Sequence, residues 1–314
     1  DDPAQTYPLA IALDENDPNK LFFTCGDKRS NYICISDDKG ENIIQKTLPC
    51  SVHGNEVGRA TGDRLIYKNG RLYFGSQTAG IIYSEDMGDS WQSVDLFGEK
   101  NISLIWTDSE GKLFIAGCSG EANSPDGVTR GHTLYCSTDG LKSFVPLTAP
   151  DPVKYENSSY YGFVPQRITS DSRYIYITFA SSGEVFYGGM GAYACDTGSL
   201  SGGKVYRYRI ENGVPVFNKD ITPEDHIPCG YSGICSNGKM LLLSTVCRKN
   251  GGDIIYTSTD SGESWKIIMN RLEYCRFDWN IPYMKPRYNG GGNCVHWISD
   301  IKLSPFDSDT ALFN

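Results

Sequence analysis

One short motif returns along the chain and constrains the fold more than any other feature. The stretch Ser84-Glu85-Asp86-Met87-Gly88-Asp89-Ser90-Trp91 recurs as Ser258-Thr259-Asp260-Ser261-Gly262-Glu263-Ser264-Trp265, and the shared kernel is Ser-x-Asp-x-Gly-x-x-Trp. Two weaker copies are Ser137-Thr138-Asp139-Gly140, ending at Phe144, and Ser36-Asp37-Asp38-Lys39-Gly40, with Ile43 at the aromatic position. The aspartates fall at 38, 86, 139 and 260, with separations of 48, 53 and 121, so the last interval holds two units. The missing copy belongs near Val205-Tyr206-Arg207-Tyr208, which keeps a strand pattern without the kernel.

Chemically the kernel is a hairpin turn. Ser and Asp oxygens accept hydrogen bonds from turn amides, and Gly takes a positive φ that other residues resist. The aromatic residue is expected to pack under the next strand and pin the turn to its sheet. Ahead of the kernels lie short runs rich in β-formers: Arg71 to Gly75, Lys112 to Ala116, Tyr174 to Thr178 and Met240 to Thr245. No segment carries a helical apolar period beyond two turns. Units of about 50 residues with four short strands predict an all-β fold, a β-propeller of aspartate-box repeats. Five units are expected at about 8–50, 60–97, 100–148, 160–220 and 228–270, with part of a sixth from Trp297, all in a single domain over 1–314. A last unit that stops inside a strand pattern, and a start at Asp1 without Met, read as a trimmed piece of a longer protein.

Composition removes several classes of function. With 38 Asp and Glu against 29 Lys and Arg, a net charge of −9 disfavours nucleic acid or an anionic membrane as partner. Aliphatic runs such as Met240 to Leu243 are far short of the roughly 20 residues of a membrane span. The 11 cysteines include no Cys-x-x-Cys, Cys229 and Cys235 are six apart, and His53, His132, His226 and His296 have no ligand-like neighbours, so no metal or other cofactor is expected. Cys25 with Cys34, and Cys118 with Cys136, read either as cross-strand disulfides or as buried thiols. Sequons at Asn101 and Asn157 are compatible with glycosylation. No nucleophile elbow, sialidase arginine triad or alternating Asp/Asn calcium loop is present.

Two stretches are more specific than the kernel. One is Gly54-Asn55-Glu56-Val57-Gly58-Arg59-Ala60-Thr61-Gly62-Asp63-Arg64-Leu65, followed by Leu72 to Ser76 and a kernel; the other is Trp297-Ile298-Ser299-Asp300-Ile301 running into Ser304-Pro305-Phe306-Asp307-Ser308. With Asp220 to Pro223, Gly230 to Gly233 and the opener Ile11 to Asn19, nearly the whole chain resembles the N-terminal propeller of glycoside hydrolase family 74, the xyloglucan-cleaving enzymes. The resemblance implies two seven-bladed propellers clasping a cleft for a branched β-1,4-glucan, in a secreted protein. It also implies inverting hydrolysis by two aspartates about 6.5–9.5 Å apart. The family's motifs would place one catalytic Asp before residue 1 and the other beyond residue 314, so no catalytic residue is identified in this chain.

The repeated aspartates Asp38, Asp86, Asp139 and Asp260 read as structural, since a turn is needed in every blade and a catalyst only once. Substrate-binding candidates are Asn55, Glu56 and Arg59 in a polar cluster with Asp63 and Arg64, where an ion-pair knot bracing two blades is the slightly favoured alternative. Trp279 and Tyr283, in the aromatic stretch 276–288, and Trp297 are further candidates, because sugar rings stack on such faces; a packed propeller mouth is the competing reading. The Gly-rich stretch from Glu184 to Gly203, with Tyr187 and Tyr193, is expected on the same side. Against the hydrolase stands a second expectation, a non-catalytic aspartate-box propeller that binds a glycan or protein ligand.

Overall fold

Each sheet in the molecule meanders, every strand pairing antiparallel with its sequence neighbour. The computed structural model describes residues 7–26, 31–50, 52, 63–76, 78–96, 102–118, 134–147, 163–181, 204–224, 228–248, 254–270, 300–304, 307 and 310–313. The first sheet comprises β1 (Tyr7–Leu13), β2 (Leu21–Gly26), β3 (Tyr32–Ser36) and β4 (Ile44–Thr47). The second holds β5 (Leu65–Lys68), β6 (Arg71–Gly75), β7 (Ile81–Ser84) and β8 (Gln92–Val94). The third holds β9 (Ile102–Thr107), β10 (Phe114–Cys118), β11 (Leu134–Ser137) and β12 (Val145–Pro146). The fourth holds β13 (Phe163–Ser170), β14 (Tyr174–Ser181), β15 (Lys204–Glu211) and β16 (Val214–Asp220). The fifth holds β17 (Pro228–Ser236), β18 (Leu241–Arg248), β19 (Ile254–Ser258) and β20 (Lys266–Asn270), and a hairpin of β21 (Ile301–Leu303) and β22 (Ala311–Phe313) follows. The described residues include no helix, and the expected all-β class of four-stranded repeats holds.

The chain forms two compact units, Asp1–Gln166 with Glu211–Val216, and Arg167–Ile210 with Phe217–Asn314. In each, the core lies between successive sheets, and alternation along the strand assigns side chains to one neighbour or the other. In the first unit, Leu72 and Phe74 of β6 join Phe22, Ile33 and Ile35 of the first sheet, while Tyr73 between them joins Ile105, Phe114 and Phe144 of the third. In the second, Leu241 and Leu243 of β18 pack with Tyr176 and Val205 of the fourth sheet, while Leu242 turns to Ile301 of the last hairpin. Burial on both faces explains why these strands read as nearly unbroken apolar runs. In the first sheet, by contrast, Ile11 and Leu13 of β1 are 68% and 61% exposed.

The Ser/Asp turns join the third strand to the fourth in the first, second, third and fifth sheets. In the fourth, β15 and β16 are joined instead by Asn212-Gly213, with φ of 51° and 81°. Two successive left-handed residues are what a tight hairpin needs, so a shorter turn stands where the kernel is missing.

The aromatic residue of the kernel reaches beyond its own sheet. Trp91 packs into the core shared with the first sheet, and Trp265 donates from Nε1 to the carbonyl of Ile221, at the end of the fourth sheet, at 2.6 Å. The turn is therefore fastened to the preceding sheet as well as to its own, where the Trp265 ring meets that of Tyr256 edge-on at 6.3 Å. Polar contacts reinforce the join: Lys46 Nζ on β4 donates to the carbonyl of Met87 and pairs with Asp89, each at 2.8 Å. On β15, Arg207 donates from Nε to Asn218 Oδ1 (2.8 Å), from Nη1 to the carbonyl of Ser261 (2.8 Å) and from Nη2 to Glu263 Oε1 (2.7 Å). Its guanidinium also lies 4.5 Å from the centroid of the Tyr174 ring.

The cysteines at 25, 34, 50, 118, 136 and 235 are all free thiols. Register decides which could meet. Phe23 faces Cys34 and Cys25 faces Tyr32, so Cys25 and Cys34 are diagonal neighbours on one face, and their thiols are in hydrogen-bond contact. Ile115 faces Cys136, which puts Cys118, three residues along β10, on the opposite face of the sheet; a Cys118–Cys136 bridge is sterically excluded.

The join between sheets predicts unequal costs for one substitution at equivalent turn positions. A Cβ on Gly262 (φ 85°) would stand 2.5 Å from Ile221 Cδ1, whereas on Gly40 (φ 91°) its nearest neighbour is Leu21 Cδ2 at 3.7 Å. Gly262→Ala is expected to destabilise by about 2–3 kcal/mol, strain plus overpacking, and Gly40→Ala by about 1 kcal/mol, strain alone. Urea unfolding of the two variants measures the difference, and equal costs would remove Ile221 from the explanation.

Candidate functional site

Four Ser/Asp corners share one hydrogen-bond pattern. In the second sheet, Ser84 Oγ donates to Asp86 Oδ1 (2.8 Å) and accepts the Gly88 N–H (2.7 Å), while Asp86 accepts the Ser90 N–H at Oδ1 (2.8 Å) and the Ser90 hydroxyl at Oδ2 (2.5 Å). Asp139 with Ser137 and Ser143, and Asp260 with Ser258 and Ser264, repeat it. In the first sheet Asn42 replaces the last serine, its N–H reaching Asp38 Oδ1 at 2.9 Å and its side-chain amide Oδ2 at 2.6 Å. The Ser or Asn before the aromatic position is thus a fifth member of the motif, legible in the sequence only as a repeated small polar residue. In the third corner the glycine stands one place early, and Leu141 takes the left-handed conformation (φ 69°) while its N–H bonds to Ser137 Oγ.

These carboxylates are tied into the turn, each accepting bonds on both oxygens. Hydrogen bonds from the following serine side chain and amide, then from the kernel serine, hold Asp86, Asp139 and Asp260 down to about 2. Asp38 is lowered too, chiefly by the Asn42 backbone and side-chain amides. A general acid needs the opposite shift. Among the described residues, every carboxyl whose pKa departs from its ordinary value departs downward. Burial likewise pushes the Cys34, Cys136 and Cys235 thiols up to about 11, which keeps them protonated and unsuited to nucleophilic attack. No three His, Cys, Asp or Glu side chains among the described residues come together as a metal ion would require.

The binding candidates Asn55, Glu56, Arg59, Trp279, Tyr283 and Trp297 lie outside the described residues, as does the Glu184 to Gly203 stretch. What the structure gives is the ground on which two of these segments stand. Before residue 53, Val52 is fully buried, its N–H bonded to Asn31 Oδ1 at 3.3 Å. After residue 62, the carbonyl of Asp63 accepts the N–H of Ile105 at 2.8 Å, and Arg64 enters β5. Arg64 is 1% exposed; it donates from Nη2 to the carbonyl of Val52 (2.8 Å) and from Nη1 to that of Gly75 (3.1 Å), over the ring of Phe74 at 5.4 Å. Sequence reasoning offered this arginine as part of an ion-pair knot. Its partners include two carbonyl dipoles and an aromatic face, which no spacing rule reveals.

The second footing follows Trp297. Asp300 caps the next amide, Ile301 N–H to its own Oδ1 at 2.8 Å, and lies against Arg167 Nε (3.6 Å) and Lys302 Nζ (3.3 Å). Ile301 is 1% exposed in the core with Cys235 and Leu242.

Stacked four-stranded antiparallel sheets fastened sheet to sheet at Ser/Asp corners define a β-propeller class of fold. Within that class the chain is similar to xyloglucanases of the GH74 type, as its sequence resemblance implied. It is 26% identical, over 92% of its length, to the oligoxyloglucan-reducing end-specific xyloglucanase of Emericella nidulans, covering 38% of that protein. It is 24% identical, over 97% of its length, to a xyloglucanase of a Paenibacillus species, covering 32% of it. In structure it matches the GH74 xyloglucanase of Xanthomonas campestris with a TM-score of 0.71 at 22% identity, over 98% of this chain and 43% of that one. No protein-family model matches the chain. The chain thus spans about a third to two-fifths of the length of the curated relatives it matches.

The shifted aspartates set a pH dependence. With folded values of about 2 for Asp86, Asp139 and Asp260 against the ordinary 3.8, their contribution is full above pH 4 and is lost as pH falls through 2. Stability of the wild type is expected to drop across this window. In Asp86→Asn it should start lower at pH 7 and fall less steeply between pH 4 and 2. Chemical denaturation at a series of pH values reads this, and an unchanged slope in the variant would rule out the corner as its source.

Proposed function

We propose that the chain is part of a secreted glycoside hydrolase that cleaves the β-1,4-glucan backbone of xyloglucan or a related β-glucan. The observation that carries this reading is sequence similarity to xyloglucanases spread over more than nine-tenths of the chain, together with a shared fold. The reaction is inverting, with one Asp activating water and another protonating the leaving oxygen. Both acids come from parts of the protein outside residues 1–314, and a second propeller supplies the facing wall of the cleft. The downward-shifted corner aspartates support this division of labour, since all are committed to turns.

In this reading Asn55, Glu56 and Arg59 bond sugar hydroxyls, and Trp279, Tyr283 and Trp297 offer faces on which pyranose rings stack. An arginine fork and a carboxylate provide complementary donors and acceptors for vicinal hydroxyls, and the apolar C–H face of a sugar matches an aromatic surface.

The full-length protein mixed with tamarind xyloglucan should generate new reducing ends. No cleavage across several β-glucans would overturn the hydrolase, and retained glucan binding without cleavage would favour the non-catalytic propeller. Trp279→Ala is expected to weaken binding of a long glucan five- to tenfold, about 1 kcal/mol, with the unfolding midpoint unchanged. Calorimetric titration measures it; unaltered affinity would assign that tryptophan to packing.

A further inference from the structure

Of the five Asn-Gly pairs in the sequence, three sit at hairpin tips between described strands: Asn69-Gly70 between β5 and β6, Asn212-Gly213 between β15 and β16, and Asn237-Gly238 between β17 and β18. An Asn before Gly can react with its own backbone, because no Cβ shields the glycine nitrogen from the asparagine side chain. All three pairs are exposed. They differ in the one respect this reaction depends on, the placement of the Asn side chain against the next amide.

Asn69 and Asn212 are left-handed, each with a φ of 51°. A left-handed residue has a ψ of about +47°, which turns its Cβ nearly anti to the following nitrogen and carries the side-chain amide away from it. Asn237 does not take that conformation. Its side chain folds forward around the Gly238 peptide, and Oδ1 accepts the N–H of Lys239 at 3.0 Å and that of Met240 at 2.9 Å. The Gly238 N–H donates to Ser236 Oγ at 3.1 Å. Gly238 has a φ of 82°, and no atom stands within 4 Å of where its Cβ would be, so a ring can close there unobstructed.

A nucleophile, an electrophile and stabilising donors thus meet in one turn. Attack of the Gly238 nitrogen on Asn237 Cγ puts negative charge on Oδ1, where two backbone amides already point. Donors set in place before the charge develops are what lower the barrier to acyl transfer. Ser236 Oγ is placed to draw off the amide proton as the new bond forms.

We infer that Asn237-Gly238 is a self-modifying site that deamidates through a succinimide faster than the other two turns. The bond from Gly238 N to Asn237 Cγ forms, the Cγ–Nδ2 bond breaks, and the displaced amide group takes up the proton shed by Gly238 and leaves as ammonia. Water then opens the ring at either carbonyl and leaves aspartate or isoaspartate at 237. The fold already accommodates the first product. In the equivalent turn of the fourth sheet, Asp171 Oδ1 accepts the N–H groups of Arg173 (2.7 Å) and Tyr174 (2.9 Å), as Asn237 Oδ1 accepts those of Lys239 and Met240. Isoaspartate instead lengthens the backbone by a methylene between β17 and β18, whose Cys235 and Leu242 pack on Ile301.

The test incubates the full-length wild type at mildly alkaline pH, folded and in concentrated urea, and follows aspartate and isoaspartate at 69, 212 and 237 by peptide mapping with mass spectrometry. In the folded protein, conversion at 237 is expected to run roughly tenfold faster than at 69 or 212, the benefit of a held geometry. In urea the turns are lost, and the three rates should converge to within about threefold. Ser236→Ala should slow conversion at 237 by about threefold, with the other two sites and the unfolding midpoint unchanged. A folded-state rate at 237 no higher than at 69 and 212, or an acceleration in urea that is equal at all three sites, would overturn the inference. An unaltered rate at 237 in Ser236→Ala would overturn the proton-accepting role of that serine.

Discussion

A four-stranded sheet with apolar side chains on both faces cannot stand alone in water, and the rest of this molecule follows from that constraint. Each strand residue faces one neighbouring sheet or the other, so Leu72 and Phe74 serve one interface while Tyr73 serves the next. Burial of this kind is non-directional and would tolerate sliding. Direction comes from the polar fastenings, where Lys46 and Arg207 reach across to carbonyls and carboxylates of the following corner. The apolar layers supply most of the free energy, and the corners fix which registration of the sheets is allowed.

The corner itself resolves a conflict between turning sharply and leaving no amide unpaired. Ser Oγ and the Asp carboxylate collect the amides that the turn removes from the ladder, and two left-handed residues make the reversal. Where Leu141 instead of glycine takes that conformation, the hydrogen bond to Ser137 survives, so the polar network rather than the glycine is the more stringent requirement. The hydrogen bonds that hold these aspartates well below the ordinary carboxylate range also make them turn formers, the opposite of the shift a general acid needs.

Much of the architecture was legible because it is written locally. The kernels at Asp38, Asp86, Asp139 and Asp260 sit at the third turn of their sheets, and the Arg71 to Gly75 run is a strand over those same residues. The gap near Val205 was legible as a strand pattern without the kernel, and Asn212-Gly213 is the local code for the turn found there. What sequence could not show lies between sheets. The direction in which Trp91 and Trp265 pack, the separation of Cys118 and Cys136 onto opposite faces, and the carbonyl partners of Arg64 all depend on residues far along the chain. Periodicity marks a residue as buried without saying against what, and no spacing shows that an arginine reaches backbone carbonyls from elsewhere in the chain. The substrate-binding candidates were read from a polar cluster and aromatic stretches and lie beyond the described residues.

The meandering order of the strands has a thermodynamic corollary. Within each unit a sheet touches its sequence neighbours, so a perturbation at one layer is felt chiefly by the layers on either side, as in a row of dominoes coupled pairwise. Hairpins of this kind need only short-range chain closure before they gain contacts, which favours growth outward from whichever adjacent pair of leaves docks first.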